Sequence, residues 1–343
     1  MIQLSICIPT FNRLELLSNC LNSILIASKQ SDLSFEICIS DNCSEENIDK
    51  ILKLYENQLR IKVNKNNSNL GLGVNILKSV EIAQGQYCWI IGNDDLVLPE
   101  TFIKLKEIFT KNKDVDFYYI NSFHLNLDVI KKFPHPFDTS NLKTFKMEKF
   151  SKFNKELKKN FFDLVYPEVS FDFMLGMFLC IFKRKYWNEN LSVIDNKLIT
   201  DLKTYSSFDN TCPHIKIWAK AFNNRISFFY PDPLTINLSG QRGKEWGHLY
   251  PFIEAIRIPE VVDCYRLNGL PYIQYLYCKN FALRRFLPSI IKMLLRPKNS
   301  GLTFINFKKH ILKNLFFPSI YVFPIFMILR KLYKIQKKIF KKK

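Results

Sequence analysis

Two adjacent aspartates, Asp94 and Asp95, follow an apolar run in the stretch WIIGNDDLVLPE, Trp89 to Glu100. Like charges side by side repel each other unless they share a cation, so the pair indicates a Mg²⁺ or Mn²⁺ site. Such hard cations often take few protein ligands and complete their shell with substrate phosphates. The alternative is an ordinary acidic turn that caps the helix starting near Pro99.

The elements that must position this pair follow from the apolar spacing. The first 121 residues alternate runs of strand length with longer amphipathic segments, which is the pattern of repeated βαβ units. Strands are predicted at LSICIPT, FEICISD, RIKVNK, YCWIIGN and VDFYYINS. Helices are predicted between them, at RLELLSNCLNSILIAS, EENIDKILKLYENQ and GVNILKSVEIAQ. The sequence therefore predicts an α/β fold with an open, mostly parallel sheet flanked by helices.

Three of the predicted strands end in polar loops, Pro9–Arg13, Ser40–Asn47 and Gly92–Asp95. Ligands of open α/β sheets bind beyond the carboxyl ends of the strands, where such loops meet. Asp41 in the second loop is a candidate hydrogen-bond acceptor there, and equally a cap for the segment that follows it. Convergence of the loops would place Asp94 and Asp95 at a binding edge.

The stretches SICIPTFNR, ISDNCSEEN and NLGLGVNILKSVEIAQGQYCWIIGNDD resemble the family 2 glycosyltransferases of the GT-A fold. The family's elements occur in order: a P-T-[YF]-N-R loop, then D-[ND]-x-S, N-x-G-x-x-x-N, A-x-G-x-Y and an aspartate-rich end. The match is good over residues 1–125 and loose over residues 126–250. GNDD and the later PHIKIW resemble most the branch that includes abequosyltransferases and related O-antigen sugar transferases.

The resemblance implies an inverting transfer of a sugar from a nucleotide-diphosphate sugar to a glycan or a lipid-linked saccharide, in O-antigen or capsule synthesis. It assigns donor binding to Pro9, Thr10, Asn12, Arg13, Asp41, Asn42, Asn69, Gly71, Asn75, Asp94, Arg242 and Trp246. It also assigns the Mg²⁺ or Mn²⁺ to Asp95 with Asp94 second, because Asn93 stands where many members have an acid. Arg242 and Trp246 depart from the family's spacing, so an exposed turn is the alternative to a lid over the donor.

Inverting transfer needs a base that deprotonates the acceptor hydroxyl. The family's E-D-x-x-L-x-x-R stretch has its counterpart in PHIKIWAKAF, where Pro213 and His214 replace the two acids. A neutral imidazole can accept a proton, and a position near a helix N-terminus favours that neutral form. His214 is therefore the predicted base, with Asp209 and Glu245 in reserve, and a packed histidine is the alternative.

The formal net charge of +19 is concentrated at one end of the chain. Residues 264–343 contain 18 Lys and Arg and no Asp or Glu, which leaves 32 basic against 31 acidic residues before them. A neutral body argues against nucleic acid as a partner. NFALRRFLPSIIKMLLRPK has the composition of an interfacial helix, and Leu315–Leu329 is too short for a crossing of about 20 residues. An anionic membrane surface is the predicted partner, and a buried helical subdomain with a solvated basic tail is the alternative.

Three parts are predicted: a nucleotide-sugar-binding half (1–125), an acceptor-binding half (126–263) and a basic, helical, membrane-associating extension (264–343). Nine cysteines without a C-x-x-C pair predict reduced thiols, and no signal-peptide pattern opens the sequence. The predicted location is cytoplasmic, peripheral on the inner face of the membrane. The competing function is a catalytically silent GT-A domain that binds a nucleotide or a glycan as a scaffold.

Overall fold

A computed structural model describes residues 2–142, 147–240 and 247–340. The chain divides into two compact units, Met1–Lys244 and Glu245–Lys343. The predicted division between residues 263 and 264 falls inside a helix, Ile258–Leu267, so the basic extension folds together with the residues before it. The predicted division between residues 125 and 126 falls inside a strand, Phe117–Asn126.

The first unit is built on a ten-stranded sheet. Its strands are β1 (Leu4–Thr10), β2 (Phe35–Asp41), β3 (Ile61–Lys65), β4 (Tyr87–Ile90), β5 (Asp95–Val97), β6 (Phe117–Asn126), β7 (Glu148–Lys149), β8 (Leu157–Asn160), β9 (Cys180–Lys183) and β10 (Ile226–Ser239). They lie in the order β3-β2-β1-β4-β9-β6-β10-β5, with β7 beside β6 and β8 beside β10. The first four strands pair in parallel, as the βαβ pattern predicts, whereas β5, β7, β8 and β9 pair antiparallel with their neighbours.

The helices of the first unit are α1 (Leu14–Ser28), α2 (Asp49–Leu52), α3 (Leu72–Glu81), α4 (Thr101–Lys111), α5 (Leu127–Ile130), α6 (Arg184–Glu189), α7 (Asn196–Ile199), α8 (Phe208–Thr211) and α9 (Pro213–Ala221). The predicted helix EENIDKILKLYENQ shrinks to the four residues of α2. Hydrogen-bonded turns continue from it and keep Tyr55 and Leu59 buried, which explains the helical spacing in the sequence. All nine cysteines are free thiols, as predicted.

One apolar cluster fixes the position of the aspartate-containing turn between β4 and β5. Leu16 of α1 packs with Leu96 and Leu98, which follow the turn, and with Ile236 and Leu238 of β10. Burial of each such side chain contributes about 1.5–3 kcal/mol. The turn is therefore held between a covering helix and the strand pair β5–β10.

The second unit is helical. Its helices are α10 (Tyr250–Phe252), α11 (Ile258–Leu267), α12 (Tyr272–Ala282), α13 (Phe286–Leu295) and α14 (Ser319–Phe340), with π-helical turns at Ile253–Arg257 and Phe307–Ile311. Within the apolar stretch Leu315–Leu329, Pro318 directly precedes α14 and Pro324 lies inside it. Among the described residues no single helix is long and apolar enough to cross a membrane. Phe307–Asn314 and Ser319–Arg330, bent by 67°, meet that test as a pair by length and composition.

Candidate functional site

The carboxyl ends of β1, β2 and β4 lie at one edge of the sheet. β1 pairs in parallel with β2, so that Pro9 lies opposite Ser40 and Thr10 opposite Asp41. β1 also pairs in parallel with β4, whose last residue, Ile90, lies two residues before Gly92. The three polar loops therefore leave the sheet at the same edge, which is where open α/β sheets bind ligands.

The first loop is fastened to the second by reciprocal hydrogen bonds. The backbone N–H of Asn12 donates to Ser44 Oγ at 2.8 Å, and the backbone N–H of Glu45 donates to Asn12 Oδ1 at 2.8 Å. Asn12 has φ of 47°, in the left-handed region that asparagine tolerates better than most residues. One predicted donor-binding side chain thus uses its carbonyl oxygen to hold the two loops together.

Asp41 caps the turn that opens the second loop. Its Oδ1 accepts hydrogen bonds from the backbone N–H of Ser44 at 3.2 Å and from Ser44 Oγ at 2.5 Å. The cap is local, because α2 begins only at Asp49. No hydrogen bond from another described residue reaches Asp41 Oδ2, so the carboxylate keeps one oxygen for a ligand.

Four asparagine amides connect the strand ends. Asn42 Nδ2 donates to Asn69 Oδ1 at 2.7 Å, and Asn66 Nδ2 lies 3.1 Å from Asn42 Oδ1 and 3.2 Å from Asn75 Oδ1. Asn75 Nδ2 in turn donates to the carbonyl oxygen of Thr10 at 3.2 Å. Sequence reasoning named three of the four and missed Asn66, whose only signal is its place just after β3. These amides shape the edge by bonding to one another.

Gly71 serves the site through its backbone. Its φ of +83° is one that residues with a side chain rarely adopt, and α3 begins directly after it at Leu72. Its N–H donates to Asn69 Oδ1 at 2.9 Å. Gly71 therefore sets the direction in which the chain enters α3, the helix that carries Asn75.

Asp95 is buried in the turn, with 1% of its surface exposed. Its Oδ1 accepts a hydrogen bond from Asn237 Nδ2 at 2.7 Å, and its Oδ2 accepts one from the backbone N–H of Gly92 at 2.7 Å. Asn237 lies opposite Asp95 in the β5–β10 pair. The predicted principal metal ligand therefore has both oxygens engaged in closing the turn. Sequence reasoning missed Asn237, which belongs to no motif.

Asp94 is the carboxylate that meets a cation. Its Oδ2 lies 3.7 Å from Arg13 Nη1 of the first loop. A Cβ at Gly92 would lie 2.5 Å from Asp94 Oδ1 and 3.0 Å from Asp95 Oδ2, so both carboxylates fold over that residue. A larger residue at position 92 would displace these carboxylate oxygens.

The oxygen ligands at this turn suit a metal ion that arrives with the substrate. Asn93, in the place of the family's acid, donates its amide to Thr10 Oγ1 at 2.8 Å. Among the described residues no cluster of three or more His, Cys, Asp or Glu side chains is arranged to hold a metal. Asp94 could supply one hard oxygen to Mg²⁺ or Mn²⁺, and phosphate oxygens would have to supply others.

His214 lies at the start of α9, as predicted, but it is buried, with 3% of its surface exposed. Its Nε2 donates to the carbonyl oxygen of Leu175 at 3.0 Å, and its ring packs edge-on against Trp218 at 4.9 Å between centroids. No described group bonds Nδ1. Burial lowers the pKa of His214 to about 4, because imidazolium loses its hydration there. This geometry matches the packed-histidine alternative.

Asp209, the reserve base, is also buried and bonded. Its Oδ1 accepts hydrogen bonds from Lys216 Nζ at 2.7 Å and from the backbone N–H of Asp195 at 2.8 Å. The ion pair joins α8 to α9. The remaining predicted residues, Arg242 and Trp246 of the lid together with Glu245, lie outside the described residues.

The fold and the strand-edge site define an α/β protein of the kind seen in two solved glycosyltransferases. Staphylococcus aureus TarS 1-349 in complex with UDP-GlcNAc has a TM-score of 0.55 at 15% identity, over 93% of this chain and 78% of that one. The mannosyltransferase PcManGT from Pyrobaculum calidifontis, in complex with GDP-Man and Mn²⁺, has a TM-score of 0.51 at 12% identity, over 97% and 87%. At these identities the likeness shows the fold, and it confirms the predicted GT-A class.

The family model for glycosyl transferase family 2 matches residues 5–176, which is half of the sequence. The chain belongs to glycosyl transferase family 2. It is 38% identical over 114 residues to the abequosyltransferase RfbV of Salmonella typhimurium, covering 33% of this chain and 34% of that protein. It is 30% identical over 105 residues to the poly(ribitol-phosphate) β-N-acetylglucosaminyltransferase TarS of Staphylococcus aureus, covering 29% and 18%. The match thus spans about a third or less of the length of these two relatives.

Proposed function

We propose that this protein is an inverting glycosyltransferase that moves a sugar from a nucleotide-diphosphate sugar to a glycan or a lipid-linked saccharide. The observation that carries the proposal is the meeting of three polar loops, with Arg13 and Asp94 paired, at the carboxyl edge of the parallel strands. Family membership supports the reaction class. The names of the two relatives, both sugar transferases, support cell-surface polysaccharide synthesis of the O-antigen or capsule type.

The donor would lie across the first two loops. Pro9 and Thr10 end β1 beneath it, and Asp41 Oδ2 is the oxygen that could accept a hydrogen bond from the base. The guanidinium of Arg13 supplies hydrogen-bond donors suited to a diphosphate. Asn12 and the asparagine amides take part by holding these loops in place.

Mg²⁺ or Mn²⁺ would bind at Asp94, with the diphosphate completing its shell. When bound, the ion neutralises charge that develops on the leaving diphosphate. The sequence predicts Asp95 as the first metal ligand and Asp94 as the second. We propose the reverse ranking, because both oxygens of Asp95 accept hydrogen bonds within the turn. Asp95 would orient the turn, and Asp94 would meet the ion.

The two described candidate bases, His214 and Asp209, belong to the acceptor-binding half. His214 or Asp209 could serve as the base only after a rearrangement, since each is buried and bonded. That observation favours the second candidate function, a catalytically silent domain that binds a nucleotide or a glycan. The two functions differ in turnover and agree in nucleotide binding.

A donor panel separates the two functions. Calorimetry with UDP, GDP, CDP and dTDP sugars, with Mg²⁺ or Mn²⁺ and then with EDTA, should identify one donor class that needs the ion. Release of nucleotide in the presence of saccharide acceptors then reports turnover. Binding without turnover for every donor would support the silent domain. Asp94→Asn should remove the dependence of donor binding on the ion, and Asp232→Asn, an exposed change on β10, is its control.

We also propose that the protein works on the cytoplasmic side, peripherally on the inner face of the membrane, with an anionic lipid surface as a partner. An acceptor carried on a lipid cannot leave the bilayer, so its transferase must come to the surface. The support is the charge asymmetry: residues 264–343 hold 18 of the 50 Lys and Arg and no acid. The nearly neutral remainder gives no support for nucleic acid as a partner.

A further inference from the structure

The second unit exposes a run of large apolar side chains on α14. In the segment Ser319–Arg330, called here the exposed arm, five consecutive residues from Ile325 to Leu329 are each 48–59% exposed. Five consecutive positions cover every side of a helix. The adjoining helix α13 adds exposed Ile291, Leu294 and Leu295. A contiguous apolar surface of this kind marks an interaction site.

The preceding segment is held inside the second unit by charge. Phe307–Asn314, called here the docked arm, places Lys309 Nζ 2.5 Å and His310 Nε2 3.1 Å from Glu260 Oε1 of α11. Lys313 Nζ lies 3.4 Å from Asp263 Oδ2 on the same helix. His310 itself is buried. The docked arm is thus anchored to α11 by the ammonium groups of Lys309 and Lys313 and by a hydrogen bond between the His310 imidazole and Glu260.

Withdrawal of the docked arm would be costly, because one of its acidic partners, Glu260, is buried and the other, Asp263, is partly buried. Glu260 is 7% exposed and also pairs with Arg257, while Asp263 accepts from the fully buried Lys279. Buried carboxylates that lose cationic partners retain their desolvation cost without the compensating attraction. The bent pair therefore cannot straighten into one spanning helix without breaking this network.

The exposed arm alone is too short to cross. Ile320 to Leu329, ten residues, are followed by Arg330, and at 1.5 Å per residue this is about 15 Å, half of the hydrocarbon core of about 30 Å. Beyond Arg330 the helix is basic, with Lys337 among its exposed residues. Apolar residues beside basic ones match an anionic leaflet rather than a neutral protein surface.

We infer that the second unit binds an anionic leaflet through the exposed arm lying in the interface, while the docked arm stays on α11 and no segment crosses. The inference rests on the membrane association proposed above and adds its surface and its topology. The lipid headgroup charge is the recognised chemistry, and the apolar side chains from Ile325 to Leu329 supply the buried area.

Vesicle flotation of the full chain tests the surface. The protein should float with phosphatidylglycerol-containing vesicles and much less with pure phosphatidylcholine. Phe326→Asp and Ile328→Asp should each lower the affinity for these vesicles at least tenfold. In each variant an apolar side chain that enters the leaflet is replaced by a carboxylate that the anionic lipid repels. Leu54→Asp, at a 60% exposed leucine of the first unit, is the matched control. Circular dichroism confirms folding of each variant. No flotation of the wild type, or equal flotation of the three variants, overturns the inference.

A second pair of variants tests the docked arm. Arg330→Ala with Lys337→Ala should weaken vesicle binding by about fivefold for each charge, corresponding to about 1 kcal/mol each. Lys309→Ala with Lys313→Ala should weaken vesicle binding much less. In the wild type those ammonium groups are paired with Glu260 and Asp263, so they do not contact the lipid. An equal loss from both pairs would mean that the docked arm leaves α11 for the lipid.

Protease access tests the topology. In sealed inside-out membrane vesicles, an epitope placed after Lys343 should be digested together with the first unit, because both lie on the cytoplasmic face. Protection of the epitope while the first unit is digested would demonstrate a crossing and overturn the inference. Donor turnover is scored separately: a protein that floats but turns over no donor contradicts the transferase proposal and leaves this one standing.

Discussion

Each unit contains a buried carboxylate, Asp95 in the first and Glu260 in the second, and different donors hold the two. In the first unit the carboxylate of Asp95 is fixed by an asparagine amide and a backbone N–H. In the second unit Glu260 meets a guanidinium, an ammonium and an imidazole. Amide and backbone donors orient a carboxylate while leaving its formal charge in place, whereas cations cancel that charge. The first arrangement is suited to fixing the turn that carries Asp94, and the second to joining helices.

The pKa of Glu260 reflects this difference. Burial raises its pKa, but the hydrogen bond with His310 and the charges of Arg257 and Lys309 outweigh burial and hold the pKa well below its usual value. A carboxyl whose pKa is depressed on folding contributes stability that is complete above its unfolded pKa. That contribution is lost as the pH falls below about 4.5 towards the folded pKa.

The largest expected effect is on the second unit. Glu260→Gln should lower the free energy of unfolding of the second unit by about 3–5 kcal/mol, because the Arg257 guanidinium stays buried after the Glu260 carboxylate is gone. Urea unfolding of the full chain measures the loss. Glu254→Gln is the control, since its partner Arg285 is exposed and such a pair contributes about 1 kcal/mol or less. Equal losses would show that the network does not join the helices.

The next effect is on donor binding. Asp94→Asn should lower metal-dependent turnover about 10²–10³-fold and abolish stimulation by Mg²⁺ or Mn²⁺, because the ion loses its carboxylate. Asp95→Asn should instead lower the free energy of unfolding by about 1–3 kcal/mol, since an amide N–H₂ replaces a buried acceptor. Turnover assays with a metal titration, paired with unfolding curves, separate the two residues. The reverse pattern would return the ion to Asp95, as the sequence predicts.

A third effect comes from His214. Since burial lowers its pKa from 6.5 to about 4, the unfolded chain binds more protons between these values. The free energy of unfolding should therefore fall by up to about 3 kcal/mol as the pH drops through that window. His214→Gln, which can still donate to Leu175, should remove this contribution and leave turnover almost unchanged. His248→Gln, at an exposed position, is the control.

The opposite kinetic result would restore the sequence-based assignment of the base. If His214→Gln lowers kcat while donor affinity stays constant, and the acid limb of the pH–rate profile disappears, then His214 takes the acceptor proton. The same measurement on Asp209→Asn covers the reserve candidate. A loss of donor affinity with kcat unchanged would point to packing alone.

The sequence was sufficient to bring the polar loops to one edge of the sheet, because each of the signals involved is local. The apolar runs of β1 and β2 mark strands buried on both faces, and polar loops directly after them must lie at their carboxyl ends. Asn42, Asn69 and Asn75 were found through motif spacing. These amides form hydrogen bonds with one another instead of pointing towards a ligand, and that arrangement depends on how three strand ends meet.

What the sequence could not provide depends on residues far apart along the chain. Asp94 and Asp95 look alike in sequence, but Asp95 accepts a hydrogen bond from Asn237, 142 residues later. The start of α9 was predicted correctly from Pro213, but the burial of His214 comes from the loop carrying Leu175. In the second unit, ion pairs such as Glu260 with Lys309, 49 residues apart, join segments that the predicted boundary at residue 263 divides.

The smallest expected effect tests whether an amide really orients the first carboxylate. Asn237→Ala removes one hydrogen bond to Asp95, so the free energy of unfolding should fall by about 1–2 kcal/mol and turnover by about tenfold. Asn237→Asp, nearly isosteric but without a donor when ionised, sets a like charge opposite Asp95 and should cost more than alanine. If the free energy of unfolding and the turnover both decrease from the wild type to Asn237→Ala to Asn237→Asp, the result supports an oriented, charged Asp95. An Asn237→Asp variant as active as the wild type would mean that Asp95 holds a proton there, and the contrast between Asp95 and Glu260 would then fail.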